Sequence, residues 1–170
     1  MPRFTGSFGL PNLDELAARR ALGAELKDIL FEGTVEWVRT VSAILPNWSG
    51  MSRASLQSIG NLVGILIFAS PVLGAPDRVA QGRNQGEGRF STSADERAGQ
   101  YFFEWRSQVF HLIYNESNDA NAVGFHLRNP GPYHSQRQAQ QSFFKTVNPR
   151  LRDLQFDLGA HIKITRRIVR

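Results

Sequence analysis

From Leu13 to Leu45 the chain contains no proline and only two glycines, Gly23 and Gly33. Within it Leu16, Leu22, Leu26, Ile29, Gly33, Trp37, Val41 and Ile44 fall mainly at steps of three and four, one apolar face of a helix. Asn12 is placed to cap it, with Glu15 three residues on as the second half of a capping box, and Pro46 stops it. At about 1.5 Å per residue this is a rod of roughly 50 Å, or else two helices hinged near Gly33. A rod of that length is expected to bury only part of its stripe against a small domain. The rest, with Trp37 and Val41 foremost, is expected to pack on a neighbouring subunit.

The remaining elements follow more loosely. After a small polar turn, Trp48 to Ser55, the run Leu62-Val63-Gly64-Ile65-Leu66-Ile67-Phe68 reads best as a buried strand within 59–69, a buried helix being the alternative. Residues 71–100 are rich in Gly, Gln and Arg with few apolar anchors, and are expected to form an extended polar arm. Arg83, Arg89 and Phe90 in that arm join Trp37 and Val41 as the candidate subunit interface. Phe103 to Val109 alternates as a half-buried strand, and Phe110 to Tyr114 extend it to a loop. Ala122 to Leu127 is a short return, either strand or helical turn, and Asn129-Pro130-Gly131-Pro132 is a turn. A helix capped by Ser135 runs to about Val147; Pro149 punctuates it before a further helical segment at Leu151, Leu154 and Leu158. Ile162 to Thr165 alternates like a strand. The expected fold is α+β in a single 1–170 domain: long N-terminal helix, small mainly antiparallel sheet, extended arm, C-terminal helix and basic tail.

Composition narrows the chemistry. The 170 residues suit one domain, or one with an appendage, and 41% hydrophobic against 21% charged is a globular balance. With no cysteine there is no disulfide framework, thiolate metal site or thiol nucleophile. Met1 to Gly6 lacks the apolar core of a signal peptide, and Ile59 to Ala69 is too short and too polar for a membrane span, so no membrane role is expected. The net charge of +5 is carried entirely by residues 145–170, where seven cations face two carboxylates. Arg150, Arg152, Lys163, Arg166, Arg167 and Arg170 are the candidate basic contact, for nucleic acid or for an acidic patch on a partner, the latter favoured. Of the 20 basic residues 17 are Arg, which suits phosphates and interfaces, although a GC-rich genome produces the same bias.

No catalytic constellation emerges. His111, His126, His134 and His161 show no helical metal spacing, though His126 and His134 flank the Asn129–Pro132 turn and could meet across it. Asp95-Glu96, Glu104 and Glu116 would need the fold to pair them for acid–base work. Acidic residues on the first helix, including Glu25, Asp28, Glu32 and Glu36, read as its solvated face. Gly82 to Gly88 has neither a Walker lysine–hydroxyl pair nor dinucleotide-fingerprint spacing. No cofactor and no metal is expected, and the chain is read as not an enzyme.

One stretch carries a resemblance. Pro46-x-x-Ser49-Gly50-x-Ser52-Arg53-x-Ser55, a proline, a hydroxyl–Gly pair, a basic residue and a serine after a long helix, resembles the neck and tail-completion proteins of long-tailed bacteriophages. The Tyr114-Asn115 strand end, the Ala120–Leu127 stretch, Gly131-Pro132-Tyr133 and the helix from Ser135 are similar to that family's later elements. The resemblance implies a minor structural protein of the virion, assembled in the host bacterial cytoplasm. It implies a homo-oligomeric ring, six- or twelve-fold, that joins or completes head and tail. Its partners would be other copies of itself and neighbouring neck, connector or tail-tube proteins, with non-specific contact to DNA in the channel. The alternative is a nucleic-acid-binding protein that uses its basic C-terminal segment.

Overall fold

In a computed structural model of the chain, residues 2–9, 16–45, 50–69, 76–97, 100–109, 112, 134–158 and 161–168 are described. Helix α1 spans Leu16–Ile44 without a break at Gly33, so the single rod, not the hinged pair, forms. Asn12 and Pro46 lie outside the described residues. Gly33 is used for contact: a Cβ there would stand 2.5 Å from Val147 Cγ2 and 2.6 Å from Phe143 Cε2. Those two residues belong to a helix at Ser135–Leu158, which packs along α1.

The sheet forms the other wall of the core. Strands β1 (Pro2–Gly9), β2 (Gly86–Phe90), β3 (Tyr101–Ser107) and β4 (His161–Ile168) stand in the order β2-β3-β1-β4, every neighbouring pair antiparallel. Successive strand residues point to opposite faces. Tyr101, Phe103 and Trp105 therefore share the face toward α1, where Trp37 meets Phe103 at 5.8 Å and Trp105 at 5.5 Å between ring centroids. Phe103 continues the cluster to Phe143 at 5.5 Å. Leu22, Leu26, Ile29, Leu30, Trp37, Val38, Val41 and Leu45 are all buried in this core. From Leu22 to Val41 the stripe of α1 is thus covered by its own chain. Trp37, 1% exposed, and Val41, fully buried, are core residues, which corrects the expectation that they meet a neighbouring subunit. A helix on one side and a sheet on the other together cover what neither could alone.

Residues 71–100 were expected to be an extended arm; the described part is folded. Helix α2 (Met51–Ala54) packs on α4 (Pro76–Asn84), and β2 pairs with β3 along its length. Helix α5 (Ser93–Arg97) follows, with a reciprocal cap: Thr92 N–H donates to Asp95 Oδ2 at 2.7 Å and Asp95 N–H to Thr92 Oγ1 at 3.4 Å. Few apolar side chains are needed because backbone pairing and close glycine contact do the anchoring. At Gly88 a Cβ would lie 2.5 Å from the Ile59 nitrogen, so β2 rests directly on the neighbouring helix backbone.

The expected strand at 59–69 is also corrected. Helix α3 (Gln57–Leu62) occupies its start. Gly64, at φ 70°, then turns the chain: Ile65 N–H donates to Gly60 C=O at 2.8 Å and Gly64 N–H to Asn61 C=O at 3.3 Å. That pair of bonds is a Schellman helix stop, which a left-handed glycine favours. Residues 65–69 have no regular secondary structure.

The C-terminal helix, α6 (Ser135–Leu158), runs through Pro149 as one element instead of two. Proline lacks the N–H that would bond the Lys145 carbonyl, and its ring crowds that carbonyl. Its neighbours hold the helix on α1: Val147 and Leu151 are buried, and Arg150 bonds Glu25 Oε1 at 2.7 Å and Glu32 Oε2 at 2.6 Å. Phe103–Val109 is strand β3 through Ser107, but Tyr101 to Trp105 are buried on both faces, which corrects the expected half-burial; Ile162–Thr165 lies within β4. The loop after Tyr114, the 122–127 return and the 129–132 turn lie outside the described residues.

Gly33→Ala tests the α1–α6 contact. Helix propensity alone favours alanine by about 1 kcal/mol, but overpacking a buried contact costs about 1–3 kcal/mol. The substitution is expected to lower unfolding stability by urea titration, with an unchanged circular dichroism spectrum.

Candidate functional site

The stretch that carries the family resemblance folds into a corner that ends α1. Gly50, at φ 71°, precedes α2, and Arg53 Nε donates to the Leu45 carbonyl at 2.8 Å. This satisfies one of the acceptors that a helix C-terminus leaves open, with a charged donor that also suits the negative end of the helix dipole. Ser55 Oγ donates to Ser52 C=O at 2.8 Å, and the Ser55 carbonyl accepts from Trp105 Nε1 at 2.9 Å. Ser52 and Ser55 are buried. Arg53 and Ser55 of the motif are therefore used in joining α1, α2 and β3.

The candidate interface residues do not form one surface. Trp37 and Val41 are interior. Phe90 is partly buried on the core face of β2, edge-to-face with Phe31 at 6.0 Å. Arg83 and Arg89 are exposed, Arg89 with its guanidinium 6.0 Å from the Phe102 ring centroid. Among the described residues the most exposed large apolar side chains lie where the sequence reading placed a buried strand: Leu62, Leu66 and Phe68 are 49%, 64% and 71% exposed.

The basic candidates separate as well. Arg150 is bound between Glu25 and Glu32. The hydrogen bond to Glu32, foremost, raises its pKa above the ordinary guanidinium value; partial burial opposes this and the bond to Glu25 adds to it. Glu25 and Glu32, expected as solvated-face residues, are its partners. Arg152 is exposed on α6. On β4 the register puts Lys163 opposite Ser7 and Arg167 opposite Arg3, while Arg166 stands opposite Phe4. Lys163 and Arg167 therefore take positions on one face of the sheet and Arg166 a position on the other. Arg170 lies outside the described residues.

The carboxylates considered for acid–base work have structural partners. Glu96 pairs with Lys27, Asp95 caps α5, and Glu104, 2% exposed, accepts from Arg106 at 2.9 Å. Glu116, His111 and His126 lie outside the described residues. His134 precedes α6 at φ 47° and its carbonyl accepts from Gln138 N–H at 3.0 Å. Among the described residues no group of three His, Asp or Glu side chains could hold a metal, and no helix is long and apolar enough to cross a membrane.

Tyr101, beside the Lys27–Glu96 pair, is 5% exposed, and burial, followed by the charge of Glu96, pushes its phenol above the ordinary 10.0, with Lys27 opposing. An unfolded tyrosine then loses its proton first, so stability is full below pH 10 and falls as pH rises above that value. Tyr101→Phe is expected to flatten this alkaline decline in thermal melts taken across that range. Arg53→Met is expected to cost about 1.5–3 kcal/mol through the lost charged hydrogen bond, read by chemical denaturation. Arg152→Met, on the exposed face of α6, should stay within about 0.5 kcal/mol of wild type.

No protein-family model matches the chain, and no curated protein or solved structure is similar enough to match it.

Proposed function

We propose that the protein is a non-enzymatic structural component of a long-tailed bacteriophage virion, joining or completing the head–tail neck as a homo-oligomeric ring. The observation that carries this reading is the segment 62–69. It has the composition of a strand, its burial alternates from Ile65 to Phe68, and no strand among the described residues pairs with it. Leu62, Leu66 and Phe68 are exposed large apolar side chains within this short segment, of the kind that marks an assembly contact. In a ring each subunit offers two different surfaces to its two neighbours, so such a strip meets the next copy of the same chain. The order of elements supports the same reading: a long helix, the Gly50–Ser55 corner, a small antiparallel sheet and a late helix resemble the neck and tail-completion family. The structural employment of Glu96, Glu104 and Asp95 supports an assembly role over a catalytic one.

Light scattering with negative-stain imaging tests this, at low and high protein concentration and with phage head or tail parts added. Rings of the wild type, alone or on those parts, are expected. The double variant Leu66→Asp/Phe68→Asp should remain monomeric by the same measurement while melting at the wild-type temperature. A compact monomer that ignores both concentration and phage parts would sink the proposal.

A further inference from the structure

We propose that the exposed face of α6 is a docking surface for the phosphate backbone of duplex DNA, with Arg137, Lys145 and Arg152 as its cationic contacts. Ala139, Phe143, Val147 and Leu151 are buried, and Arg150 is held between Glu25 and Glu32, so one side of the helix is fixed on the core. On the other side Arg137, Gln141, Lys145, Asn148 and Arg152 are all exposed. At about 3.6 residues per turn these five fall within an arc of about 80° and extend over about 22 Å. They form an open stripe in which an amide separates each cation from the next.

The stripe departs from an ordinary solvated helix face. Such a face mixes both signs, as α1 does where Arg39 bonds Glu36 at 2.8 Å. From Ser135 to Arg152, α6 carries four cations and no carboxylate. Arg150 is neutralised by two glutamates of α1, whereas Arg137, Lys145 and Arg152 have no ion pair among the described residues. Asp153, the first carboxylate of the helix, stands about 80° beyond the edge of the stripe. Arg137 lies in the first turn, where the helix dipole disfavours a cation, so helix stability does not account for its charge.

The chemistry selects the ligand. A strand of duplex DNA advances about 3.4 Å per phosphate, so a stripe of about 22 Å runs beside several phosphates and can neutralise three. Gln141 and Asn148 stand between the cations, and side-chain amides are regular phosphate donors. A protein partner calls for an apolar centre depleted of charge, and the stripe contains no apolar residue. Single-stranded nucleic acid calls for exposed aromatic platforms. Phe144, at the margin of the stripe, is partly buried and edge-on to Phe143 at 5.3 Å. A groove-reading helix gathers its contacts near its start, but here the charges are spread along four turns, so contact is to phosphates and carries no sequence preference. This inference does not rest on the ring reading.

Fluorescence anisotropy of the full chain with short labelled duplexes of unrelated sequence tests it, across about 50 to 200 mM salt. Equal affinity for the duplexes is expected, with log K falling against log salt at a slope of about −2.7, which is about fortyfold over that range. Lys145→Gln/Arg152→Gln should weaken binding at the lowest salt and reduce the fall to about fourfold, and Arg137→Gln alone should reduce the slope by about one. Arg83→Gln, which removes an exposed cation of α4, should leave affinity and slope near wild type. If the double variant fails to fold by circular dichroism, Arg137→Gln, at the other end of the stripe, decides. Absence of binding at the lowest salt would overturn the proposal. So would an equal loss in Arg83→Gln, a preference among the duplexes of more than about tenfold, or tighter binding of polyglutamate or single-stranded DNA than of duplex.

Discussion

Three aromatic rings tie the structure together. Trp37 of α1 lies against Phe103 and Trp105 of β3, and the Trp105 indole reaches past it to the Ser55 carbonyl in the corner after α1. Large buried aromatics dominate core energetics, and an indole N–H taken out of water requires an acceptor. Helix, sheet and corner therefore meet at one point. Displacing β3 would uncover Trp37 and strand two buried polar groups at once. The position of β2 follows from β3, and that of α3 from its contact with β2, so the middle of the chain is placed by this junction.

Periodic side-chain patterns made the long elements readable. The stepped stripe of α1 reports its buried face, and the alternation of Phe103 to Val109 and the Ile162-x-Ile164 rhythm each correspond to an observed strand, although β3 is buried on both faces as far as Trp105. The segment 71–100 was misread for a physical reason: its order comes from backbone pairing and from glycines that let chains touch, neither of which leaves an apolar pattern. The 59–69 segment misled because a run of branched apolar residues suits a strand, while Gly64 in a left-handed turn stops a helix just before the middle of it. The β1 strand went unread because Pro2, Gly6 and Gly9 are poor strand formers and its partners lie about one hundred and more residues away in sequence.

The candidate site was less legible than the fold. Counting charge located the cations but could not tell Arg150, which neutralises two glutamates across the α1–α6 seam, from Lys163 and Arg167. That distinction depends on which residues lie opposite in space. Trp37 looked surplus only because the residues that cover it, Phe103 and Trp105 of β3, are more than sixty residues away in sequence. The corner motif from Gly50 to Ser55 was readable as a motif, yet its contacts are to the helix end and to Trp105. A signature can thus mark a way of turning the chain as readily as a binding surface.

The pairing of β1 with β4 sets an order on folding. Pro2 lies opposite Ile168 and Gly9 opposite His161, so one side of β1 finds its partner only once a strand about 150 or more residues further along has been made. Until then β1 has an open edge even where β3 has already paired with it, and an open edge invites pairing with other chains. Contacts this distant in sequence also slow folding, because the loop they close must be ordered before they contribute. The cations on β4 oppose stacking of one such strand on another copy of itself, which guards β4 against misassembly until it reaches β1.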